Sequence, residues 1–141
     1  MTITETLVEV REYEGLGYQP IIDYGAWRVA ILRYEPALEP DAIHNMQRHD
    51  ETDEVFVLLS GHCILFLGEG DDSIDHIHAV DMLPLKAYNV KKSAWHNHTL
   101  SQDASVLIVE NVDTGASNSK NSELTATQCA EIVELTQQLW T

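Results

Sequence analysis

The chain has 141 residues, a length typical of one compact domain, and 44% of them are hydrophobic. Its 23 acidic residues against 8 Lys and Arg give a net charge of -15, which argues against binding to nucleic acid or to anionic membranes. No stretch approaches the roughly 20 apolar residues of a membrane span, and the start, Met1 to Glu5, does not resemble a secretory signal. We therefore expect a single cytoplasmic domain over residues 1–141, with Cys63 and Cys129 reduced.

The first two-thirds of the chain predict short β-strands. Val8 and Val10 alternate with charged residues, which predicts a half-buried strand over residues 7–13. The tight turn around Gly61 predicts a hairpin between two apolar strands. Strands are further predicted at 20–22, 27–34, 43–49, 55–59, 63–67, 76–80, 87–90, 94–98 and 105–112. Many short strands separated by turns are typical of a β-sandwich or β-barrel.

The last part of the chain follows a different pattern. Residues 113–124 are polar and rich in Ser and Asn, which predicts a linker. Thr125 and Gln128 have the spacing of a helix-capping box, and apolar residues then recur at helical spacing. The sequence therefore predicts a barrel over about 7–112, a linker over 113–124 and a C-terminal helix over about 125–140.

Three residues on neighbouring predicted strands have side chains that bind metals. His49 ends one strand, Glu54 opens the next, and His96 lies in a third. His98 follows two residues later, on the same face of the strand as His96. Two histidines and a carboxylate suit Fe(II), and also Zn, Mn or Ni. The same three residues are equally consistent with a hydrogen-bonded polar cluster that holds no metal.

The surroundings of these residues resemble the cupin superfamily over roughly residues 25–112. His49, Glu54 and Gly61 stand at the spacing of the first cupin motif, and residues 88–96 are similar to the second. The resemblance implies a mostly β, cupin-type jelly-roll β-barrel that binds a divalent metal through His49, Glu54 and His96. It also implies a homodimer, for which a strand over residues 7–13 is a candidate contact.

The sequence departs from the family pattern at several positions. Gln47 stands where the family has its first metal-binding histidine, and Lys91, Ser93 and Leu100 replace other motif residues. The carbonyl oxygen of Gln47 could accept a hydrogen bond from a metal-bound water. His98 could substitute for the missing ligand, because it is expected to face the same cavity.

Three functions remain open at this point. The first is a metal-dependent enzyme acting on a small polar molecule, with Glu54 as a metal ligand or a catalytic general base. The second is a metal-free barrel that binds a small molecule without turnover. The third is a metal-independent sugar isomerase or epimerase, with His49 as base and Tyr88, a possible pocket residue, as acid.

Overall fold

Ten β-strands and one α-helix form the part of the chain that the structure describes. The structure is a computed structural model, and it describes residues 5–141 apart from the side chain of Ala116. Residues 1–4, within the segment predicted not to be a secretory signal, lie outside the described part. The strands are β1 (Tyr18–Tyr24), β2 (Trp27–Arg33), β3 (Asn45–His49), β4 (Glu54–Ser60), β5 (Cys63–Glu69), β6 (His76–Asp81), β7 (Ala87–Val90), β8 (Trp95–Leu100), β9 (Ser105–Asn111) and β10 (Ser119–Glu123). Helix α1 spans Ala126–Leu139, and three single-turn 3-10 helices span 36–38, 40–42 and 116–118.

The strands form two five-stranded antiparallel sheets. The first sheet has the order β1-β2-β9-β4-β7, and the second has the order β10-β3-β8-β5-β6. Within residues 5–141 no strand pairing joins one sheet to the other. The prediction of a mostly β fold with a C-terminal helix is confirmed.

The inner faces of the two sheets enclose the main core. Side chains alternate between the faces of a strand, so Phe56 and Leu58 of β4 are buried inward, whereas Val55 and Val57 are only half-buried on the outer face. The core between the sheets is apolar and consists of Ala30, Leu32, Phe56, Leu58, Cys63, Leu65, Met82, Val90, Leu100, Ala104, Val106 and Ile108.

Helix α1 covers the outer face of the second sheet. Thr125 Oγ1 accepts from Gln128 N–H at 3.1 Å and Gln128 Oε1 accepts from Thr125 N–H at 3.0 Å, so the capping box is present. Ile132 of the helix is fully buried in a second apolar cluster with Met46, Phe66 and Trp95. Among residues 5–141, no helix combines the length and apolar character needed to cross a membrane.

The strand predicted over residues 7–13 is absent. Residues 8–13 have no regular secondary structure, and Leu7, Val8 and Val10 are 84%, 48% and 61% exposed. The first strand begins only at Tyr18. The prediction from the alternation of apolar and charged residues is wrong here. A strand also needs a neighbouring strand to pair with, and residues 8–13 have none in the described structure.

The predicted linker contains a strand instead. Strand β10 pairs with β3, from Ser119 opposite His49 to Glu123 opposite Asn45. Its polar composition is compatible with strand structure because β10 is an edge strand with much of its surface in solvent. The pairing brings Ser119 next to one of the candidate metal ligands.

Candidate functional site

The candidate site begins with a row of charged residues on the first sheet. Arg28 of β2 lies opposite Glu110 of β9. Val55 of β4 lies opposite Val109 of β9, so the same antiparallel register places Glu54 beside Glu110. Arg28, Glu110 and Glu54 therefore form one line across three strands, on the inner face.

The second sheet contributes imidazole and amide side chains that face this row. His49 is the last residue of β3 and His96 is the second residue of β8. Gln47 lies opposite His96 across the pairing of β3 with β8. Inward residues recur every second position, so Gln47 shares the inner face with His49, and His98 shares it with His96.

The two sheets bring His49, Glu54 and His96 together. Glu54 Oε1 lies 3.2 Å from His96 Nε2 and 3.7 Å from His49 Nε2. The two imidazole ring centroids are 5.1 Å apart. All three side chains are buried, with exposed fractions of 8%, 5% and 4%. The sequence predicted this grouping, and the geometry places the three side chains together.

Hydrogen bonds fix the direction in which the rings point. His96 Nδ1 lies 3.0 Å from the carbonyl oxygen of Ala94, and a carbonyl can only accept, so Nδ1 carries a proton. In the neutral ring, Nε2 then carries a lone pair that is directed at Glu54. His49 Nδ1 lies 2.7 Å from the hydroxyl of Ser119, which can accept in the same way. Second partners of this kind orient metal-binding histidines.

This donor set fits a divalent cation. Glu54 Oε1 has no hydrogen-bond partner within the described residues. One ligand atom from each of the three side chains lies within 4.8 Å of the other two. Ligand atoms around a tetrahedral ion with bonds of about 2.1 Å lie about 3.4 Å apart, close to the 3.2 and 3.7 Å separations observed. Two neutral imidazole nitrogens facing a carboxylate oxygen repel it unless a metal ion or a proton lies between them.

Burial and neighbouring charges separate the protonation of Glu54 and Glu110. Burial opposes the ionisation of Glu54, but the adjacent His96 and Glu110 more than offset it and hold the pKa of Glu54 below its usual value. Burial, followed by the hydrogen bond with Glu54, raises the pKa of Glu110. The two neighbouring carboxyl groups therefore ionise at different pH, and Glu54 loses its proton at lower pH than Glu110.

Arg28 closes the other end of the row. Its Nη2 lies 3.5 Å from Glu110 Oε2, where the Arg28 side chain is half-buried and the Glu110 side chain is buried. The same nitrogen donates to the carbonyl oxygens of Val112 and Thr114 at 2.8 and 2.9 Å. Arg28 therefore ties Glu110 to the loop that follows β9.

A cavity of about 570 Å³ opens onto the three residues. This volume lies within the usual range for small-molecule sites. Its apolar wall comes mainly from the first sheet and includes Leu32, Phe56 and Ile108. Its polar wall comes mainly from the second sheet and includes Asn45, Gln47, His98, Ser119 and Asn121.

The other predicted pocket residues have different positions. Gln47 and His98 line the cavity, and the ring of Phe56 lies 5.9 Å from that of His98. Burial, with a smaller contribution from His96, lowers the pKa of His98 to about 4. Tyr88 lines a separate groove, and its hydroxyl accepts from Leu83 N–H at 2.9 Å. The pairing of His49 with Tyr88 as base and acid is therefore absent from this geometry.

Sequence reasoning missed three residues that contact the site. Glu110 and Arg28 each interrupt an apolar strand at an inward position, in phase with Ile108 and Ala30 respectively, and that interruption was a usable signal. Ser119 gave no signal, because it lies in a polar segment with no apolar pattern.

Comparison with known proteins identifies the fold. Pac13 from Streptomyces, a nucleoside dehydratase, superimposes with a TM-score of 0.56 at 7% identity, over 82% of this chain and 87% of Pac13. A tyrosine-to-phenylalanine variant of Pac13 with uridine matches equally, with a TM-score of 0.56 at 8% identity over 82% and 86% of the two chains. The chain has the cupin fold.

Part of a larger protein also has a similar structure. The capsular polysaccharide assembling protein CapF from Staphylococcus aureus matches with a TM-score of 0.56 at 16% identity, over 86% of this chain and 34% of CapF. No family model matches the sequence, and no curated protein matches it. The structural matches establish the fold. Because the sequence identities are low, the chemistry has to be argued from the residues of the site.

Proposed function

We propose that this cupin-fold chain binds a divalent metal through His49, Glu54 and His96, and acts on a small polar molecule in the adjoining cavity. The observation that carries the proposal is the convergence of two histidine Nε2 atoms on Glu54 Oε1, an oxygen without a hydrogen-bond partner in the described residues. A buried group of this kind needs a cation for its charge and its lone pairs.

Each residue near the proposed centre has a distinct part in this function. A divalent ion supplies Lewis-acid chemistry toward an oxygen of the bound molecule. Hydrogen bonds to Ala94 and Ser119 orient His96 and His49, and the Glu54 carboxylate supplies the negative charge. Burial and the neighbouring Glu54 raise the pKa of Glu110, which makes Glu110 the proton donor of the proposed site.

A metal-free cupin is the second candidate. A proton on His96 Nε2 also satisfies Glu54, and Gln47 occupies the position of the histidine expected in the cupin motif. The structural similarity to Pac13, whose variants were solved with uridine, favours a nucleoside or sugar as the ligand in this case. His98, which lines the cavity, then becomes a contact for the bound molecule.

Elemental analysis of the untagged protein, purified without chelator, tests the first candidate. We expect about one equivalent of Fe, Zn, Mn or Ni per chain. The His96→Ala variant is expected to lose this metal, whereas His78→Ala, an exposed histidine outside the cavity, is expected to keep it. Gln47→His is expected to bind the metal more tightly, because it supplies a further imidazole beside His96.

The outcomes separate the two candidates. Metal content that is unchanged in His96→Ala contradicts the proposed ligands. An absence of metal in the wild type, even after dialysis against each of the four ions, selects the metal-free candidate.

We also propose that the chain is a homodimer, on the family resemblance, and that it is cytoplasmic, as the sequence led us to expect. The strand over residues 7–13 no longer supports the dimer, but exposed apolar side chains remain at Leu16, Tyr24 and Trp27, near the edge strand β1. Sedimentation velocity giving a monomer mass at all concentrations contradicts the dimer.

A further inference from the structure

The cavity wall carries negative and neutral groups and no cationic side chain. Among the described residues that line it, none is Lys or Arg, whereas Glu35, Glu54 and Glu110 contribute carboxyl groups. The guanidinium of Arg28 is engaged by Glu110 and by the carbonyl oxygens of the following loop. Binding sites for phosphate groups normally supply Arg, Lys or the N-terminus of a helix. This wall offers none of these to an anion.

The hydrogen-bonding groups with free capacity are uncharged. The side-chain amide of Gln47 has no hydrogen-bond partner among the described residues, although it lines the cavity. Asn45 Nδ2 donates to Asn121 Oδ1 at 2.9 Å, which leaves the other amide atom of each side chain available. Together these groups offer donors and acceptors side by side, and hydroxyl groups can satisfy both.

Beside Glu54 and Glu110, the opposite wall has an apolar part. Leu32, Phe56 and Ile108 line it and are at most 2% exposed. An apolar wall facing a neutral polar wall matches a molecule with hydroxyl groups on one side and C–H bonds or a ring face on the other.

We propose that the cavity takes an uncharged, multiply hydroxylated molecule with an apolar face, of the class of free sugars and nucleosides, and discriminates against its phosphorylated form. This inference rests on the proposed function, because it takes the same cavity as the functional site. A divalent ion bound at the proposed site does not reverse the discrimination against phosphorylated molecules. The Glu35 and Glu54 carboxylates offset the two positive charges of the ion, so the cavity gains no net positive charge to attract a phosphate.

Matched pairs of small molecules test the discrimination. Isothermal titration calorimetry of the full chain is done with uridine against uridine 5′-monophosphate, and with ribose against ribose 5-phosphate. Each titration is run on metal-loaded and on chelator-treated protein. In at least one pair, we expect the neutral molecule to bind at least about tenfold more tightly than its phosphate, because a like charge opposes the anion.

Placing a cation in the wall sharpens the test. Gln47→Arg is expected to shift the preference at least about tenfold toward the phosphorylated member of a pair. Gln138→Arg is the matched control, because it makes the same chemical change on an exposed position of α1, outside the cavity. The control is expected to retain the wild-type preference, and thermal unfolding verifies that both variants are folded.

Each outcome decides the inference. Equal or tighter binding of the phosphates by the wild-type chain overturns it, and so does an absence of binding by both neutral molecules at millimolar concentration. Tighter binding of the neutral molecules by a chain that takes up none of the four metals supports this inference and contradicts the metal-dependent function. The two proposals can therefore fail separately.

Discussion

The space between the two sheets has two ends of equal burial and opposite chemistry. Along β4 the inward residues pass from Glu54 through Phe56 to Leu58, and along β8 they pass from His96 through His98 to Leu100. We call one end the apolar end; it contains Leu58, Cys63, Leu100 and Val106, which are at most 3% exposed. We call the other the polar end; it contains His49, Glu54, His96 and Glu110, which are at most 8% exposed.

The two ends differ in how completely their groups are satisfied. The apolar end consists of close-packed side chains that need no polar partner. At the polar end Glu54 Oε1, Glu110 Oε1 and His98 Nδ1 lack hydrogen-bond partners among the described residues. Unsatisfied buried polar atoms cost stability unless another group binds to them. The fold is therefore stabilised mainly at the apolar end, and the polar end leaves buried atoms that the proposed cation or ligand would satisfy.

The largest expected effect is at the apolar end. Leu58→Ala removes a side chain that is 1% exposed, and we expect a loss of about 2–5 kcal/mol in the free energy of unfolding. Leu59→Ala is the matched control, because Leu59 is 44% exposed and is expected to change stability by about 0.5 kcal/mol or less. Urea denaturation measures both variants. Equal losses contradict the assignment of stability to the packed end.

If the proposed metal is bound, its removal is expected to be the next largest effect and to act only at the polar end. If the metal ion is present at 100 to 1,000 times its dissociation constant, chelation is expected to lower the free energy of unfolding by about 3–4 kcal/mol. Chelation is expected to lower the free energy of unfolding of Leu58→Ala by the same amount. The substitution and the proposed metal centre lie at opposite ends, so their effects add. A chelator that leaves the wild-type melting temperature unchanged weighs against a bound metal.

A smaller effect is expected from the partner of His49. Ser119→Ala removes the hydroxyl that lies 2.7 Å from His49 Nδ1, and we expect metal affinity to fall about 10- to 100-fold. Ser122→Ala is the control on the same strand, because Ser122 pairs with the outward residue Met46. Competition against a metal-binding dye measures both affinities. Indistinguishable affinities show that Ser119 has no part in orienting the ring.

The smallest effect concerns the two thiols and reports on the packing of the apolar end. Burial, with a smaller contribution from Asp81, raises the pKa of Cys63 to about 12, whereas Cys129 is only half-buried. At pH 8 we expect a thiol reagent to label Cys129 quickly and Cys63 slowly. Cys129→Ala is expected to abolish the fast phase. Rapid labelling of Cys63 in the native protein contradicts a closed apolar end.

The candidate site was predictable only where its residues lie in recognisable local patterns. His49 and Glu54 are five positions apart around a turn, and His96 lies in the second segment with a cupin-like pattern, so the motifs selected all three. Tyr88 was selected as the nearest tyrosine for the acid of the isomerase hypothesis, but no local pattern states which cavity a side chain lines. The structure places it in a different groove.

The sequence by itself determined the mostly β character, the C-terminal helix and the His49, Glu54 and His96 group, because alternation, capping and motif spacing are local properties of a chain. Only the tertiary structure decided that Glu110 and Arg28 extend this group across the first sheet, and that Ser119 supports His49. Those contacts depend on pairings between strands far apart in sequence, such as β4 with β9 and β3 with β10. The same reason explains the segment over 8–13 and strand β10: a strand forms where another strand offers an open edge, and the open edges exist only once the sheets have assembled.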